Sequence, residues 1–521
     1  MTDAPDLTNL VDLAAARFGG SVVAVNDEFF ALAERMLLPE APVTRPGVFT
    51  ERGQWTDGWE TRRRRDVPPG SDWAIIRLGS PGIVHAVTVD TTHFTGNAPE
   101  AVELHGATLA GYPSAEEVAE DSVTWVPLVG RTPVAADAAN VLVVPEEARF
   151  RISHLRLTIH PDGGVARLRV HGVVVPDPRL LDRVTSDLAA AYLGGVVVAA
   201  SDMHYGDRHN LNASGDARVM GEGWETRRRR GEGHDWAVIR LATEGTVVRA
   251  EVDTRHFRGN APRAVALWAA NAPETGDDAL AADGFAAITG WRPLLPRTRV
   301  QPNTRHLFDL EVPVEATHVR VDAVPDGGLA RLRLLGAPTA AGREALAMRW
   351  FDSLAPAAAR EELLACCGSE DWADAVTARR PFGRLAALLP AAEQEWWNLP
   401  ESAWLEAFTA HPRIGERPGP APTPPTSSRA TVVTIDAPRR EQAALEQASE
   451  EIRAAFTEGN ASYEDRFGFI FLVRAAGRGA EEMLALLRER MANDPAAELR
   501  VAAGQQAEIT ALRLSHLITG G

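Results

Sequence analysis

The string Gly-Trp-Glu-Thr-Arg-Arg-Arg-Arg occurs twice, at residues 58–65 and 223–230, and the markers downstream of it recur in the same order. Asp72-Trp73-Ala74 returns as Asp235-Trp236-Ala237, and Val89-Asp90-Thr91 returns as Val252-Asp253-Thr254. His93-Phe94-Thr95-Gly96-Asn97-Ala98-Pro99 returns as His256-Phe257-Arg258-Gly259-Asn260-Ala261-Pro262. Asp235 lies 163 positions beyond Asp72, as Asn260 does beyond Asn97, and Pro325 lies 164 beyond Pro161. Solenoid periods run to roughly 20–50 residues, so this spacing marks a duplicated domain. The main difference between the copies is extra sequence in the first, ahead of Gly58.

Each copy reads as short β-branched segments cut by Gly, Pro and Asp, the pattern of a β-sandwich. The clearest strands are 22–25, 73–78, 83–89 and 155–159, while 10–18 reads as helix. After residue 342 the pattern changes to Leu and Ala at helical spacing, over 344–364 and again over 480–491. The expected architecture is multidomain: two all-β sandwich repeats, 1–175 and 176–338, followed by an all-α domain, 345–521. The Pro-rich stretch 418–428 cannot sustain a helix or a central strand and is expected to be an exposed loop.

With 521 residues, 45% hydrophobic and 24% charged, the composition is that of a globular protein, and no apolar run approaches the ~20 residues of a membrane span. The N-terminal residues lack a basic leader and an apolar core, so a cytoplasmic location is expected. The two cysteines, Cys366 and Cys367, are sequence neighbours and are not expected to staple the fold. A net charge of -17 argues against nucleic acid or an anionic membrane as partner. Small-molecule substrates and self-association as a homo-oligomer are expected instead, with no metal or cofactor.

Four successive arginines are often just a solvated face. In an extended segment, however, Arg62 and Arg64 point to one side and Arg63 and Arg65 to the other, and an arginine fork suits a carboxylate. Glu60 and Glu225 accompany the arginines. His93 and His256 precede the turn-forming Gly-Asn pairs, where loops present reactive side chains. His234 stands where the first copy has Ser71 and favours the second copy slightly. In the helical third, His411 falls at a helix boundary, because Pro412 disfavours helix at the residue before it.

The duplicated block resembles allantoicase, and the resemblance covers about residues 10–337. It implies two jelly-roll-like, galactose-binding-like sandwiches that convert allantoate and water to ureidoglycolate and urea. Allantoate carries a carboxylate and two ureido groups. Arg62, Arg64, Arg227 and Arg229, with Asp72, Asp235, Asn97 and Asn260, supply a substrate-binding set of that chemistry. Proton transfer is assigned to His93 or His256 together with Glu60 or Glu225.

From about residue 350 to 515, Arg380-Pro381-Phe382, His411-Pro412-Arg413-Ile414-Gly415, Glu441-Gln442, Phe467-Gly468-Phe469 and residues 509–514 resemble the decarboxylase of 2-oxo-4-hydroxy-4-carboxy-5-ureidoimidazoline (OHCU). That family is all-helical, needs no cofactor and yields (S)-allantoin. The resemblance places its catalytic histidine, glutamate and arginine on His411, Glu441 and Arg513. It places substrate contacts on Pro412, Gln442, Phe469 and Ile470. Pro438-Arg439-Arg440 stands where a serine is often found. A different reading keeps the decarboxylase and makes the sandwiches non-catalytic ligand-binding modules.

Overall fold

The computed structural model describes residues 7, 9–68, 70–109, 111–120, 122–181, 184–411, 448–474 and 478–520. The chain divides into two compact units, Met1–Leu346 and Ala347–Gly521.

The first unit holds both repeats, each built on one 19-residue strand, Asp72–Asp90 or Asp235–Asp253. Alternate residues of Asp72–Asp90 are buried along most of its length, as a strand with one face on a core requires. Its first part pairs antiparallel with Ser21–Val25 and with the C-terminal part of Arg151–His160. Its last part pairs with Arg167–Val174 and Ala139–Val143. One strand thus serves both layers of the sandwich by turning a corner between them. Glycine is required there: a Cβ on Gly82 would meet the Val173 carbonyl oxygen at 2.5 Å. In the second repeat, Gly245 occupies the matching place, and Arg305–Val324 runs unbroken where the first repeat has two strands.

The first repeat closes over Leu13, Trp59, Ile76, Val87, Leu104 and Leu157, the second over Leu188, Trp224, Ile239, Val252, Leu267 and Val321. The helix expected over 10–18 is not formed. Val11–Asp12 is instead a strand paired with Gly172 and His171, and only Ala16–Phe18 makes a 3₁₀ turn. Asp12 explains the change, since its carboxylate accepts the backbone N–H of Ala14 and of Val170 and so ties the segment to the sheet. Gly19, at φ 104°, ends the turn.

The second unit is helical. The stretch expected as one helix over 344–364 is two, Ala340–Ser353 and Pro356–Cys367, with Pro356 at the first turn of the second, where its missing N–H is harmless. The unit is organised on Pro495–Thr519, capped by the Asp494 carboxylate. Its buried residues Glu498, Ala502, Ala503, Gln506, Ile509, Thr510, Arg513, Leu514, Leu517 and Ile518 form one face at helical spacing. At one end of that face Glu498 is completely buried, bonded by Tyr463, by Arg490 at 2.7 Å and by Asn493 at 2.6 Å. The Pro-rich stretch 418–428 lies outside the described residues. Among the described residues, no helix is long and apolar enough to cross a membrane.

Candidate active sites

In each repeat the shared motifs meet at one end of the sandwich. The two-residue strand Trp59–Glu60 pairs with Gly164–Val165, and Trp224–Glu225 pairs with Gly328–Leu329. Buried Trp59 and Trp224 anchor these strands, donating their indole N–H to the Asp27 and Asp202 carbonyls at 2.8 Å. Glu60 then accepts from the Asn97 amide at 2.8 Å and Glu225 from the Asn260 amide at 2.6 Å. The expected Glu and Asn residues are therefore direct partners in both copies.

His93 and His256 sit beside these pairs in sequence and share a rare backbone, with φ 73° and 72°. The only other described non-glycine residues at positive φ are Asp137 and Asn303. Their side chains accept the backbone N–H of His93 at 2.8 Å and of His256 at 2.9 Å. Left-handed backbone costs a non-glycine residue about 1–2 kcal/mol, and both copies retain it with its supporting side chain. Nε2 of His93 faces the Pro42 carbonyl at 3.3 Å, and Nε2 of His256 faces the Ala217 carbonyl at 2.8 Å. A neutral ring donating from Nε2 presents Nδ1 as its proton acceptor.

The arginine runs follow the strands that end at Glu60 and Glu225 and are not themselves strands. Arg64 clasps buried Asp72 through Nε at 2.9 Å and Nη2 at 2.6 Å, and that bond is the first cause of its raised guanidinium pKa. Arg229 holds Asp235 through Nη2 alone, and its buried Nε has no hydrogen-bond partner among the described residues. Arg62 and Arg227 reach Asp27 and Asp202 through Nε, at 2.6 Å and 3.4 Å, and both remain exposed. Burial alone would raise the Asp27 carboxyl, but the Arg62 backbone and guanidinium donors outweigh it and hold it below the usual carboxylate range. His234 approaches Asp322 at 3.3 Å, which Arg320 also grips at 2.8 Å.

The copies are not identical. Thr56, where the second copy has Gly221, donates its hydroxyl to Glu60 Oε2 at 3.0 Å, so both oxygens of Glu60 are engaged. Among the described residues, Glu225 accepts a side-chain bond on Oε1 alone. Met220 approaches the Asn260 amide at 3.3 Å instead. Sequence reasoning did not single out Thr56, Asp27 or Asp202. Asp27 and Asp202 carried a signal, since each stands 33 or 23 positions ahead of the matching Glu60 or Glu225 in both copies.

In the helical unit, His411 follows the helix Glu401–Thr409 and is buried. Its Nδ1 lies 3.5 Å from Arg513 Nη2, and Arg513 Nη1 donates to the Cys366 carbonyl at 3.3 Å. Burial first, then the Arg513 charge, push the His411 imidazole down to about 3, so the ring is neutral at pH 7. Gln506, two turns before Arg513 on the same helix face, draws it slightly the other way without a well-formed hydrogen bond. His411 Nε2, Gln506 Oε1 and Arg513 Nε are buried and have no partner among the described residues. Phe469 packs on Phe408 at 5.5 Å between ring centroids, and Ile470 beside it is half-buried. Glu441, Pro412 and Gln442 lie outside the described residues. Gln506 was missed by sequence reasoning. The signal was the polar series Gln506, Thr510 and Arg513 among the alanines, leucines and isoleucines of that helix's buried face.

Fold and sites together define a class: tandem jelly-roll sandwiches, each presenting a Glu–Asn pair beside a left-handed histidine, followed by a helical domain with a buried His–Arg pair. The allantoicase repeat model matches residues 11–175 and 186–339, and the OHCU decarboxylase model matches residues 352–515. A probable allantoicase of Nocardia farcinica is 48% identical over 330 residues, 63% of this chain and 94% of its own. A probable allantoicase of Streptomyces coelicolor is 46% identical over 351 residues, 66% of this chain and 89% of its own. The crystal structure of allantoicase from Saccharomyces cerevisiae matches with TM-score 0.53 at 32% identity, covering 63% of this chain and 93% of that one. The chain belongs to the allantoicase family, with an OHCU decarboxylase domain as its C-terminal third.

Proposed function

We propose that this chain is a bifunctional enzyme of urate breakdown, hydrolysing allantoate to ureidoglycolate and urea in the repeats and decarboxylating OHCU to (S)-allantoin in the helical unit. The observation that carries the first activity is the Glu–Asn pair beside a strained histidine, kept in both sandwiches. Glu225 is the preferred base because its Oε2 accepts no side-chain donor among the described residues, whereas both oxygens of Glu60 are engaged. A carboxylate with a free oxygen can take a proton from water. Nδ1 of His256 is assigned the exchange of the proton that the departing urea nitrogen needs. Arg227 and Arg62 hold their acids by one edge and keep terminal N–H groups for the substrate carboxylate, while Arg229 with Asp235 and Arg64 with Asp72 hold the segment in place.

In the helical unit, decarboxylation leaves charge that the conjugated substrate ring spreads, so the protein must orient the anion and deliver one proton. Arg513 is the anion clamp and His411 the proton carrier. An anion bound against the ring favours its charged form, reversing the effect of burial. Gln506 positions His411, and Glu441 remains the expected third member. The two reactions are separated by a ring-opening hydrolysis of allantoin, so co-expression and not channelling accounts for the fusion.

A reducing, cytoplasmic setting is supported by the free, buried thiols of Cys366 and Cys367. Self-association is supported by the exposed Phe29, Phe30, Leu32 and Phe49 at the loop end of the first repeat. Sedimentation velocity measures that directly. The deciding assay uses the full chain: His411→Asn should abolish (S)-allantoin formation and leave urea release from allantoate intact. Loss of both activities together, or urea release absent from the wild-type chain, would overturn the bifunctional reading and leave the sandwiches as binding modules.

A further inference from the structure

Both repeats are built around a buried arginine, and the two copies differ in what it meets. In the first, Arg167 donates Nε to the Glu40 carbonyl at 2.7 Å, Nη1 to the Ala166 and Asp57 carbonyls, and Nη2 to the Asp57 carboxylate at 2.7 Å. In the second, Arg331 donates Nε to the Gly215 carbonyl at 3.0 Å and Nη1 to the carbonyls of Asn210, Glu222 and Ala330. Its Nη2 donates to no atom among the described residues. The residue matching Asp57 is Glu222, since their carbonyls accept the same donor, but the Glu222 carboxylate turns outward to Arg218 Nε at 2.8 Å. Arg331 is only 4% exposed and still lines a cavity of 370 Å³ between the two repeats.

That volume lies within the roughly 300–1,000 Å³ range of small-molecule sites. Of its acids, Glu222 is taken by Arg218, and Asp216 by Arg255 and Arg305 at 2.9 Å and 2.6 Å. The first repeat contributes Arg17, whose Nη1 lies 3.5 Å from Asn210 Oδ1, together with Leu38 and Glu40. Glu40 makes no direct ion pair among the described residues and acts on Arg218 at longer range, so Arg331 and Arg17 are the cations of the lining without a directly paired acid. None of Glu60, His93, Asn97, Glu225, His256 or Asn260 lines this space. Burial comes first in lowering the Arg331 pKa, and Glu222, Asp253 and Asp216 offset it only at longer range, with no direct ion pair among the described residues. A buried guanidinium without a directly paired carboxylate recovers little of its desolvation cost, and the first repeat shows what such a pair looks like.

We propose that the cavity between the repeats binds a small carboxylate carrying N–H donors, with its anion on Arg331 where Asp57 sits in the first repeat. Ser214 and Glu40 are the acceptors for the ligand's N–H groups. An N-carbamoyl amino acid has this chemistry, and the site is independent of the loop sites assigned to hydrolysis.

The test is calorimetric titration of the full chain with N-carbamoylglycine. With loop-site binding removed by combining Asn97→Ala and Asn260→Ala, we expect a remaining saturable component that weakens at least 10-fold on adding Arg17→Gln or Ser214→Trp and is lost on adding Arg331→Met. Melting curves establish that Arg331→Met is folded; if it is not, the exposed Arg17→Gln and the cavity-blocking Ser214→Trp decide. No saturable binding overturns the proposal. So does a component that survives both Arg17→Gln and Ser214→Trp in the asparagine double variant, or the absence of any saturable component in that double variant, which would assign all binding to the loop sites.

Discussion

The two sandwiches share a backbone plan and diverge in the groups that complete it. Both keep the Glu–Asn pair, the left-handed histidine and the Arg–Asp clasp, whereas only the first adds Thr56 to its glutamate and Asp57 to its buried arginine. The second has Arg255, where the first has Thr92, locked to Asp253 and Asp216. What both copies keep is what the loop site needs for geometry; what differs is how many of its polar atoms are already spent. By that measure the second copy is better equipped for chemistry and the first is the more self-satisfied scaffold.

The largest expected effect separates the copies directly. Glu225→Gln should lower urea release by about 10²–10⁴-fold, the usual contribution of a general base, while Glu60→Gln should cost under about 10-fold. Steady-state urea assays of both variants check this, and the reverse order would make the first repeat the working site.

A second contrast concerns stability. Asp57→Asn strips the buried Arg167 of its counter-ion and should cost about 3–5 kcal/mol, read from urea denaturation. Glu222→Gln should leave the midpoint nearly unchanged, because the carboxylate it removes pairs with exposed Arg218.

A pH effect should be common to both copies. Burial pushes His154 and His318 down from 6.5 to about 4, with Ser153 and Thr317 hydroxyls 2.9 Å from their Nδ1 atoms. As pH falls through 6.5 the unfolded chain takes up protons that the folded rings refuse, so stability declines until those rings titrate near 4. Each ring contributes on the order of 3 kcal/mol over that window. Replacing either histidine by Asn should remove an equal part of the histidine-dependent slope between pH 7 and 4, to which His411 also contributes, and unequal parts would show that the two cores are not equivalent.

The smallest contrast lies at the supporting pair. Asp137→Ala and Asn303→Ala should each cost about 1–2 kcal/mol, through the lost bond to the histidine N–H and an alanine forced left-handed. Asp137→Asn, which copies the second repeat, should be near neutral in the same denaturation experiment.

How much of this was legible follows from which interactions are local. The duplication, the alternating strands and the helical third could be read because period-2 and period-3.6 patterns live within a few residues. Residues 10–18 misled for the same reason: their apolar spacing suits a helix, yet the sheet partners at Gly172 and His171 lie far along the chain and override it. The acids that the arginines meet were not readable, because Asp27 is 35 residues from Arg62 and Asp57 is 110 from Arg167. Gln506 was hidden in a helix face whose role depends on a histidine 95 positions earlier.

The pairing that corrected residues 10–18 also sets a timetable for synthesis. Val11–Asp12 waits for residues 171–172, and Ser186–Asp187 waits for 335–336, so each repeat's first strand is seated by its last. At a ribosomal pace of about 5–20 residues per second, each sandwich stays open for roughly 7–30 seconds. The latches are Asp12 and Asp187, whose carboxylates capture the backbone N–H of Val170 and Leu334 as those residues arrive. The nascent chain therefore passes through two successive intervals of exposed edge, and losing either aspartate would lengthen one of them and give neighbouring nascent chains longer to pair with it.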